Sequence, residues 1–558
     1  MTLTNPALVL SIDSPSQLGE YEGRFYVMET NGFDAGLYGV SGVQYKVITD
    51  TASLAISQTI VLTAQVWIQP SITTTLEFAA ELYTDSAAIG QDDPLGQATK
   101  LVDVPQAKIH PIVFVPGYLG TFPPVHGGKL DPLTQIYDNL IAGLERAGYE
   151  AGLAGSGATL IPFGYDWRQP LGDTGRVALR NDIEAIQNSS NQRDYVDYSQ
   201  VDIIAHSAGG LVSRAYIEDS SANNDQNVNR LITLATPHKG TLAAYRGWYG
   251  GDPTGILPIN EFRSLLNVLL VCKGLAVQSV FEEDEALAEE DYYTYFRTEV
   301  PSVPDLLPQA SGLPQPYLTA RTPTGCSGGP DYCYGTPPNP FLNDLNSSGG
   351  QYEVTKLQNV PITSSYRLDR PDLTEGRYEV DPPPTSPPND QPELWRYGKI
   401  NESYVNNVSG DIVVPDFSGD LTDVVSYSNI QGQDETIGAT VSQLPHVTIN
   451  NEPIMVRRVI SYVTGIDVPE NFWQEEWSRS DYDLDDAIAF LSCNPIFRQL
   501  VTDPLGRRVG FSLEDGQVIN DVSEAFVSEA GSIPQLILLP RIEGEYQVQG
   551  INELPGDF

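Results

Sequence analysis

The run from Val201 to Ile217 limits what this chain can fold into more than any other segment. Val201, Ile203 and Ile204 form a short apolar run. It is followed by a serine among small residues, Ala205-His206-Ser207-Ala208-Gly209-Gly210, and apolar residues then recur at helical spacing from Leu211 to Ile217. A nearly continuous apolar strand of this kind is buried on both faces and belongs in a parallel sheet. The strand-to-helix turn that follows is too sharp for side chains larger than a methyl two positions either side of the serine, and Ala205 and Gly209 meet that need. The result is a hydroxyl presented at the tip of a strand, turn and helix, which is how a nucleophilic serine is mounted. Serines between small residues are common in ordinary turns; the strand before and the helix after set this one apart.

The surrounding sequence repeats the same alternation. Ile109 to Val115 and Thr159 to Phe163 read as strands before the serine, and Leu231 to Ala235 as the strand after it. Asp131-Pro132 signals a helix carrying Leu133, Ile136, Leu140 and Leu144 on one face, stopped by Gly148. This βαβ succession predicts an α/β fold with a doubly wound, mostly parallel sheet, spanning residues 107–465. Within it, 241–356 reads as an insertion covering the serine. It contains an acidic run, the ring cluster Tyr292, Tyr293, Tyr295 and Phe296, and a stretch rich in Pro, Gly and Cys; the rings are large enough to line an apolar substrate groove, although core packing is the simpler role for most of them. Residues 368–394, with Pro382 to Pro384 and Pro387-Pro388, read as a surface loop. Residues 1–106 and 466–558 carry short strands between turns and read as β-sandwich-like accessory domains. In the second of these, Gln499 to Phe511 is a hairpin about a Pro/Gly turn. Asp481 to Asp486 superficially resembles a calcium loop but lacks its glycine and its bidentate Glu, and reads as a charged helix start.

Charge narrows the partners. The 558 residues include 73 acidic and 31 basic side chains, a net charge of −42. Phosphate binding needs clustered Lys and Arg, so nucleic acid is excluded as a partner. Such a surface keeps a protein soluble by self-repulsion and suits high salt, where the repulsion is screened. Four cysteines in a chain of this length do not make a disulfide framework. Cys326 and Cys333 could close a local clip, whereas Cys272 and Cys493 have no evident partner. Leu265 to Val280, the most apolar long stretch, is interrupted by Asn267, Lys273 and Gln278 and reads as an amphipathic or buried helix and not a membrane span. The first residues lack the basic segment and apolar core of a secretory signal. The modular β-rich flanks nevertheless favour an extracellular or cell-envelope setting.

A serine hydroxyl needs a histidine to take its proton and a carboxylate to orient that histidine. The chain has five histidines. His110 and His126 precede the serine, whereas the order expected on such a sheet is Ser, acid, His. His206 adjoins Ser207, so its side chain should leave the elbow in another direction, and His238 lies just past the next strand. His446 remains, in the loop before an apolar-periodic helix with Val456, Val459, Ile460 and Val463. The acid is Asp411, in Gly410-Asp411-Ile412-Val413-Val414-Pro415, with Asp416 and Asp420 as runners-up. An oxyanion hole needs two backbone N–H donors. Ala208 supplies one, and the loop Pro116-Gly117-Tyr118-Leu119-Gly120 the other, with Tyr118 preferred over Leu119. This chemistry calls for no metal and no organic cofactor.

Val115-Pro116-Gly117-Tyr118-Leu119-Gly120, Tyr165-Asp166-Trp167-Arg168, the serine elbow, Thr236-Pro237-His238-Lys239-Gly240 and Gly410 to Pro415 follow one another in an order that resembles the lecithin:cholesterol acyltransferase-like lipases. The resemblance spans about residues 107–465 and neither β-rich end. It implies an α/β-hydrolase fold, a lid insertion, and a serine lipase or esterase acting on apolar acyl esters, for which contact with a lipid or membrane surface would be natural. It also implies that Asp166, Trp167 and Arg168, with His206, support the site and do not react. The departures are Ala205 at the first small position of the elbow, a short passage from the oxyanion loop to Asp131, and a lid unlike that of the animal acyltransferases. The alternatives are acyl transfer to an alcohol acceptor and, from another class, a non-catalytic adhesion or binding protein built around a retired hydrolase domain. The flanking domains could bind a surface or a partner chain.

Overall fold

In the computed structural model, backbone and side chains are described for residues 108–252 (except 123 and 132–134), 292–309, 317–320, 336–361, 374–383, 393–421, 446–465 and, with short gaps, 488–550, with isolated positions besides. For other strands and helices, including those of the first 103 residues, the path of the element alone is described.

Among the described elements, six strands build the central sheet: β1 (Ile112–Val115), β2 (Leu160–Pro162), β3 (Val201–His206), β4 (Val228–Leu234), β5 (Ile362–Leu368) and β6 (Glu435–Ile437). Their spatial order is β2-β1-β3-β4-β5-β6, and every pairing is parallel. β1 and β3 are buried along their whole length. This accounts for their nearly unbroken Val, Ile and Phe content. The strand order reverses between β1 and β3, because the chain leaves β1 for β2 on one side and returns to β3 on the other. In an open parallel sheet a ligand binds at such a switch point, outside the carboxyl ends of the strands. Register makes the juxtaposition specific: Val115 pairs with Ala205, so the loop after β1 starts beside His206 and Ser207.

Helix α1 (Asp138–Arg146) follows β1, and α2 (Ala208–Ile217) leaves β3 directly. The helix signalled at Asp131 begins later than its sequence suggests. The Asp131 carboxylate accepts the N–H of Ile136, but Gln135 has φ 54 and breaks the helical path before Asp138. The stop at Gly148 holds, with φ 96 and its N–H on the Glu145 carbonyl. Helix α3 (Ala243–Gly250) and α4 (Glu285–Glu299) belong to the insertion after β4. Tyr292, Tyr293, Tyr295 and Phe296 of α4 are buried. Helix α5 (Pro453–Thr464), which follows β6, ends on Gly465 at φ 71.

The 368–394 loop is corrected in its first half. Arg370–Asp381 is a strand, paired antiparallel with Lys399–Gly410 and joined at its edge by Leu318–Ala320. Tyr378 and Val380 turn inward to the core. Cysteine usage is corrected as well. Cys272 and Cys493 form a disulfide with a Cα–Cα distance of 5.0 Å, linking the insertion to the C-terminal strands across 221 residues of sequence. Cys326, Cys333, Asp481 to Asp486 and most of 265–280 lie outside the described residues.

In the C-terminal region, Phe497–Thr502 and Arg508–Phe511 form the expected hairpin, turned at Gly506 with φ 81. Val501, Val509, Phe511, Val522 and Ile537 make a small core of their own, whereas Phe526, Leu536 and Leu538 join the main one. In the first 103 residues the strand paths form a five-stranded antiparallel sheet and two strand pairs. No helix among the described residues is long and apolar enough to cross a membrane.

Candidate active site

Ser207 sits at the junction of β3 and α2 with φ 50 and ψ −127. A non-glycine residue in this region of backbone space costs roughly 1–3 kcal/mol and persists only where its surroundings fix it. Here the Ser207 N–H donates to the Leu234 carbonyl at 2.8 Å, tying the elbow to the end of β4. A methyl group at Gly209 would lie 2.3 Å from the Val115 carbonyl oxygen, so helix α2 can start this close to β1 only with glycine there.

His446 lies in a short turn of helix, Pro445–Thr448, ahead of α5. Its Nε2 is 3.0 Å from Ser207 Oγ, and its Nδ1 is 2.8 Å from Asp411 Oδ2. The carboxylate can only accept, so Nδ1 carries the proton and Nε2 is a bare lone pair facing the hydroxyl. All three residues are nearly buried, at 8% (Ser207), 7% (His446) and 1% (Asp411) exposure. The long hairpin delivers Asp411 directly after its second strand, and the turn that follows fixes the side chain. Asp411 Oδ1 accepts the N–H groups of Val413 (3.1 Å) and Val414 (2.7 Å), leaving Oδ2 for the imidazole. The His446 N–H itself donates to the Asp411 carbonyl at 3.1 Å. Asp416 opens the next turn of helix and Asp420 follows it; neither makes the bond to His446.

The loop after β1 lies against the serine. A methyl group on Gly117 would meet Ser207 Cβ at 2.8 Å and His206 Nδ1 at 3.0 Å. Leu119 has φ 60, and the Gly120 N–H closes a turn on the Gly117 carbonyl at 3.0 Å. Among the described residues, no acceptor takes the N–H of Tyr118 or of Ala208. Among the described residues these two N–H groups, one on the loop after β1 and one at the start of α2, are left without an acceptor.

Tyr165 to Arg168 brace this loop from behind. Tyr165 Oη donates to the Pro116 carbonyl at 3.1 Å, its N–H to Thr121 Oγ1 at 3.2 Å, and the Trp167 indole N–H to the Thr121 carbonyl at 3.2 Å. The Tyr118 ring packs on Trp167, centroids 4.8 Å apart. Arg168 makes a two-pronged pair with Asp166 at 2.8 and 2.9 Å and reaches the Pro124 carbonyl at 3.2 Å. The insertion closes over the same element: Ser302 Oγ donates to the Trp167 carbonyl at 2.7 Å.

The remaining histidines stand apart from the serine hydroxyl. His110 bonds the Asp197 carbonyl, His126 pairs with Asp182 at the surface, and His238 is buried beside Arg214 and Thr233. His206 points away from Ser207 Oγ, toward Tyr137 and the main chain of His446. Nothing local in the sequence singles out Tyr137, which sits beside an apolar helical pattern and reads as core. Its partner His206 is 69 residues distant.

The parallel sheet, with the elbow at its switch point beside the buried Ser207–His446–Asp411 chain, defines an α/β-hydrolase fold. Residues 125–267 match the model of the family described as lecithin:cholesterol acyltransferase. Phospholipase A(1) LCAT3 of Arabidopsis thaliana is 33% identical over 115 residues, which is 20% of this chain and 23% of that protein. The chain therefore spans about a quarter of the curated relative it matches. Among solved structures, the propeptide form of the Bacillus licheniformis lipase BlEst2 aligns over 80% of this chain and 72% of its own, at 12% identity and a TM-score of 0.31. Phospholipase PlaB of Legionella pneumophila aligns over 78% of this chain and 80% of its own, at 10% identity and a TM-score of 0.21.

Proposed function

We propose that this chain is a serine hydrolase of lipid-type carboxylic esters, working through an acyl-enzyme on Ser207. His446 Nε2 takes the hydroxyl proton as Oγ attacks the ester carbonyl, and later returns it to the leaving alcohol. Asp411 holds the imidazole in the tautomer this requires. The amides of Ala208 and Tyr118 receive the developing oxyanion, and water then releases the acid. The observation that carries the reading is the continuous path from Oγ to Nε2 at 3.0 Å and from Nδ1 to carboxylate at 2.8 Å, mounted on a strained elbow. The lipid character of the substrate rests on the family match of residues 125–267. The same match favours a second outcome for the acyl-enzyme, transfer to an alcohol acceptor in place of water.

The test is labelling by a fluorophosphonate together with turnover of p-nitrophenyl esters of increasing chain length. Ser207→Ala should lose labelling and turnover while its circular dichroism stays unchanged. Asp411→Asn should lower kcat by about three to four powers of ten, whereas Asp416→Asn and Asp420→Asn keep it. Wild-type protein that is neither labelled nor active would favour the non-catalytic reading, and ester product in the presence of an alcohol would favour transfer.

A further inference from the structure

We propose that His206 is a positioning residue: with Tyr137 it forms a hydrogen-bonded strut that sets the loop carrying the Tyr118 amide and the main chain of His446 at a fixed separation. This rests on the reading of Ser207, His446 and the 116–120 loop given above.

The direction of every bond in the strut follows from what each atom can do. The Gly117 N–H donates to Tyr137 Oη at 3.0 Å. His206 Nε2 lies 2.9 Å from the His446 carbonyl, which can only accept, so Nε2 carries the proton. His206 Nδ1 is then an acceptor, and the Tyr137 hydroxyl, 3.1 Å away, donates to it. The order is Gly117 N–H to Tyr137 O–H to His206 Nδ1, then Nε2–H to His446 C=O. A protonated imidazole would turn Nδ1 into a second donor and leave the Tyr137 proton without this acceptor. Burial and the neighbouring His446 imidazole push His206 down to about 3, so it stays neutral in the working range. Burial also raises the Tyr137 phenol, keeping its proton in place.

The strut is enclosed on every side. His206 is 3% exposed and Tyr137 2%. Their rings meet edge to face at 5.6 Å, and Phe114 of β1 backs Tyr137 at 4.9 Å. A methyl group at Gly120 would fall 2.6 Å from Tyr137 Oη, so the hydroxyl reaches the loop because that position is glycine. A second tether runs in parallel: Asn451, just past His446, accepts the Asn139 N–H and donates to the Gln135 carbonyl, holding the segment that carries Tyr137 against the segment that carries His446. The two halves of the site come from ends of the sheet region far apart in sequence, and these bonds bring them to one spacing.

The experiment uses the full chain and the variants Tyr137→Phe, His206→Gln, His206→Leu and the double Tyr137→Phe/His206→Leu. Glutamine can keep a donor to the His446 carbonyl; leucine cannot. A strut that sets geometry should cost kcat and leave KM nearly unchanged, because displacements of about 1 Å at a reacting site cost about 100-fold. His206→Leu should fall by about that factor, His206→Gln should recover much of it, and the double variant should fall no further than His206→Leu. Fluorophosphonate labelling rates should follow kcat. Independent losses in the double variant, a loss confined to KM, or no rescue by glutamine would overturn the proposal. Protein labelled with 15N at its five histidines gives a readout independent of catalysis. His206 should show a protonated Nε2 and a bare Nδ1 whose shift moves in Tyr137→Phe, and the opposite tautomer would sink the strut. Wild type that shows this tautomer but neither labels nor turns over would refute the Ser207 reading on which the positioning role depends, and that role with it.

Discussion

Gly117→Ala tests the close approach of the 116–120 loop to the elbow. The added methyl would stand 2.8 Å from Ser207 Cβ and 3.0 Å from His206 Nδ1. Carbon atoms in contact prefer about 3.5–4.0 Å, so roughly 0.7 Å must open between loop and elbow. The elbow cannot supply it, because Ser207 is held on the Leu234 carbonyl and His206 is bonded at both ring nitrogens. The loop must move. A shift of that size would stretch the Gly117 N–H bond to Tyr137, now 3.0 Å, out of bonding range and carry the adjacent Tyr118 amide with it. If the Tyr118 amide is the oxyanion donor proposed above, its loss in this way should lower kcat by about 10²–10³, or roughly 2.7–4 kcal/mol of transition-state stabilisation. Overpacking should lower stability by about 1–3 kcal/mol besides. Steady-state hydrolysis of a soluble p-nitrophenyl ester, with a thermal melt on the same sample, measures both. Gly127→Ala is the control: Gly127 has φ 80 but nothing within 4 Å, so it should show backbone strain in the melt and wild-type kcat. A Gly117→Ala protein with kcat within about threefold of wild type would refute the close approach of loop and elbow.

Two further predictions concern stability. His206 is held at about 3 in the fold, against an ordinary imidazole value of 6.5, so between those limits the unfolded chain binds a proton that the folded chain does not. Its contribution is complete above pH 6.5 and shrinks as pH falls, by about 1.4 kcal/mol per unit. The stability difference between wild type and His206→Gln, from urea melts at pH 6, 5 and 4, should decline with that slope, and a pH-independent difference would contradict it. Replacing Cys272 and Cys493 together with serine should destabilise by about 2–5 kcal/mol, since the bridge closes a long loop in the unfolded chain; an unchanged melt would show that it contributes nothing.

Much of the central sheet could be read from the chain because burial on both faces leaves a direct trace in composition, as in Ile112 to Val115 and Val201 to Ala205. Ser207 was legible because strand, small-residue turn and helix adjoin in sequence. His446 was reached through scarcity, and the structure brings it to Ser207. Choosing Asp411 over Asp416 and Asp420 is a matter of three-dimensional turn geometry, visible only in the N–H groups of Val413 and Val414 that hold one carboxylate oxygen. The strand Arg370–Asp381 was hidden by its polar and proline-rich setting, although Tyr378 and Val380 carry a period-two signal that could have found it. Tyr137 and the Cys272–Cys493 pair were illegible for one reason: their partners lie 69 and 221 residues away, and no local pattern records so distant a contact.

The Cys272–Cys493 bridge also decides what a protease can do to this molecule. Asp411 and His446 lie inside the covalent ring it closes, and Ser207 lies outside, on the N-terminal stem. A single cut anywhere between the two cysteines opens the ring without releasing a fragment, so nicked protein keeps its mass on a non-reducing gel and separates into two pieces once thiol is added. A cut between Ser207 and Cys272 severs the piece that carries Ser207 from the piece that carries Asp411 and His446. The loops and hairpin between residues 273 and 492 can thus be nicked once without loss of any part of the site, whereas the connection from the elbow to Cys272 has no such protection.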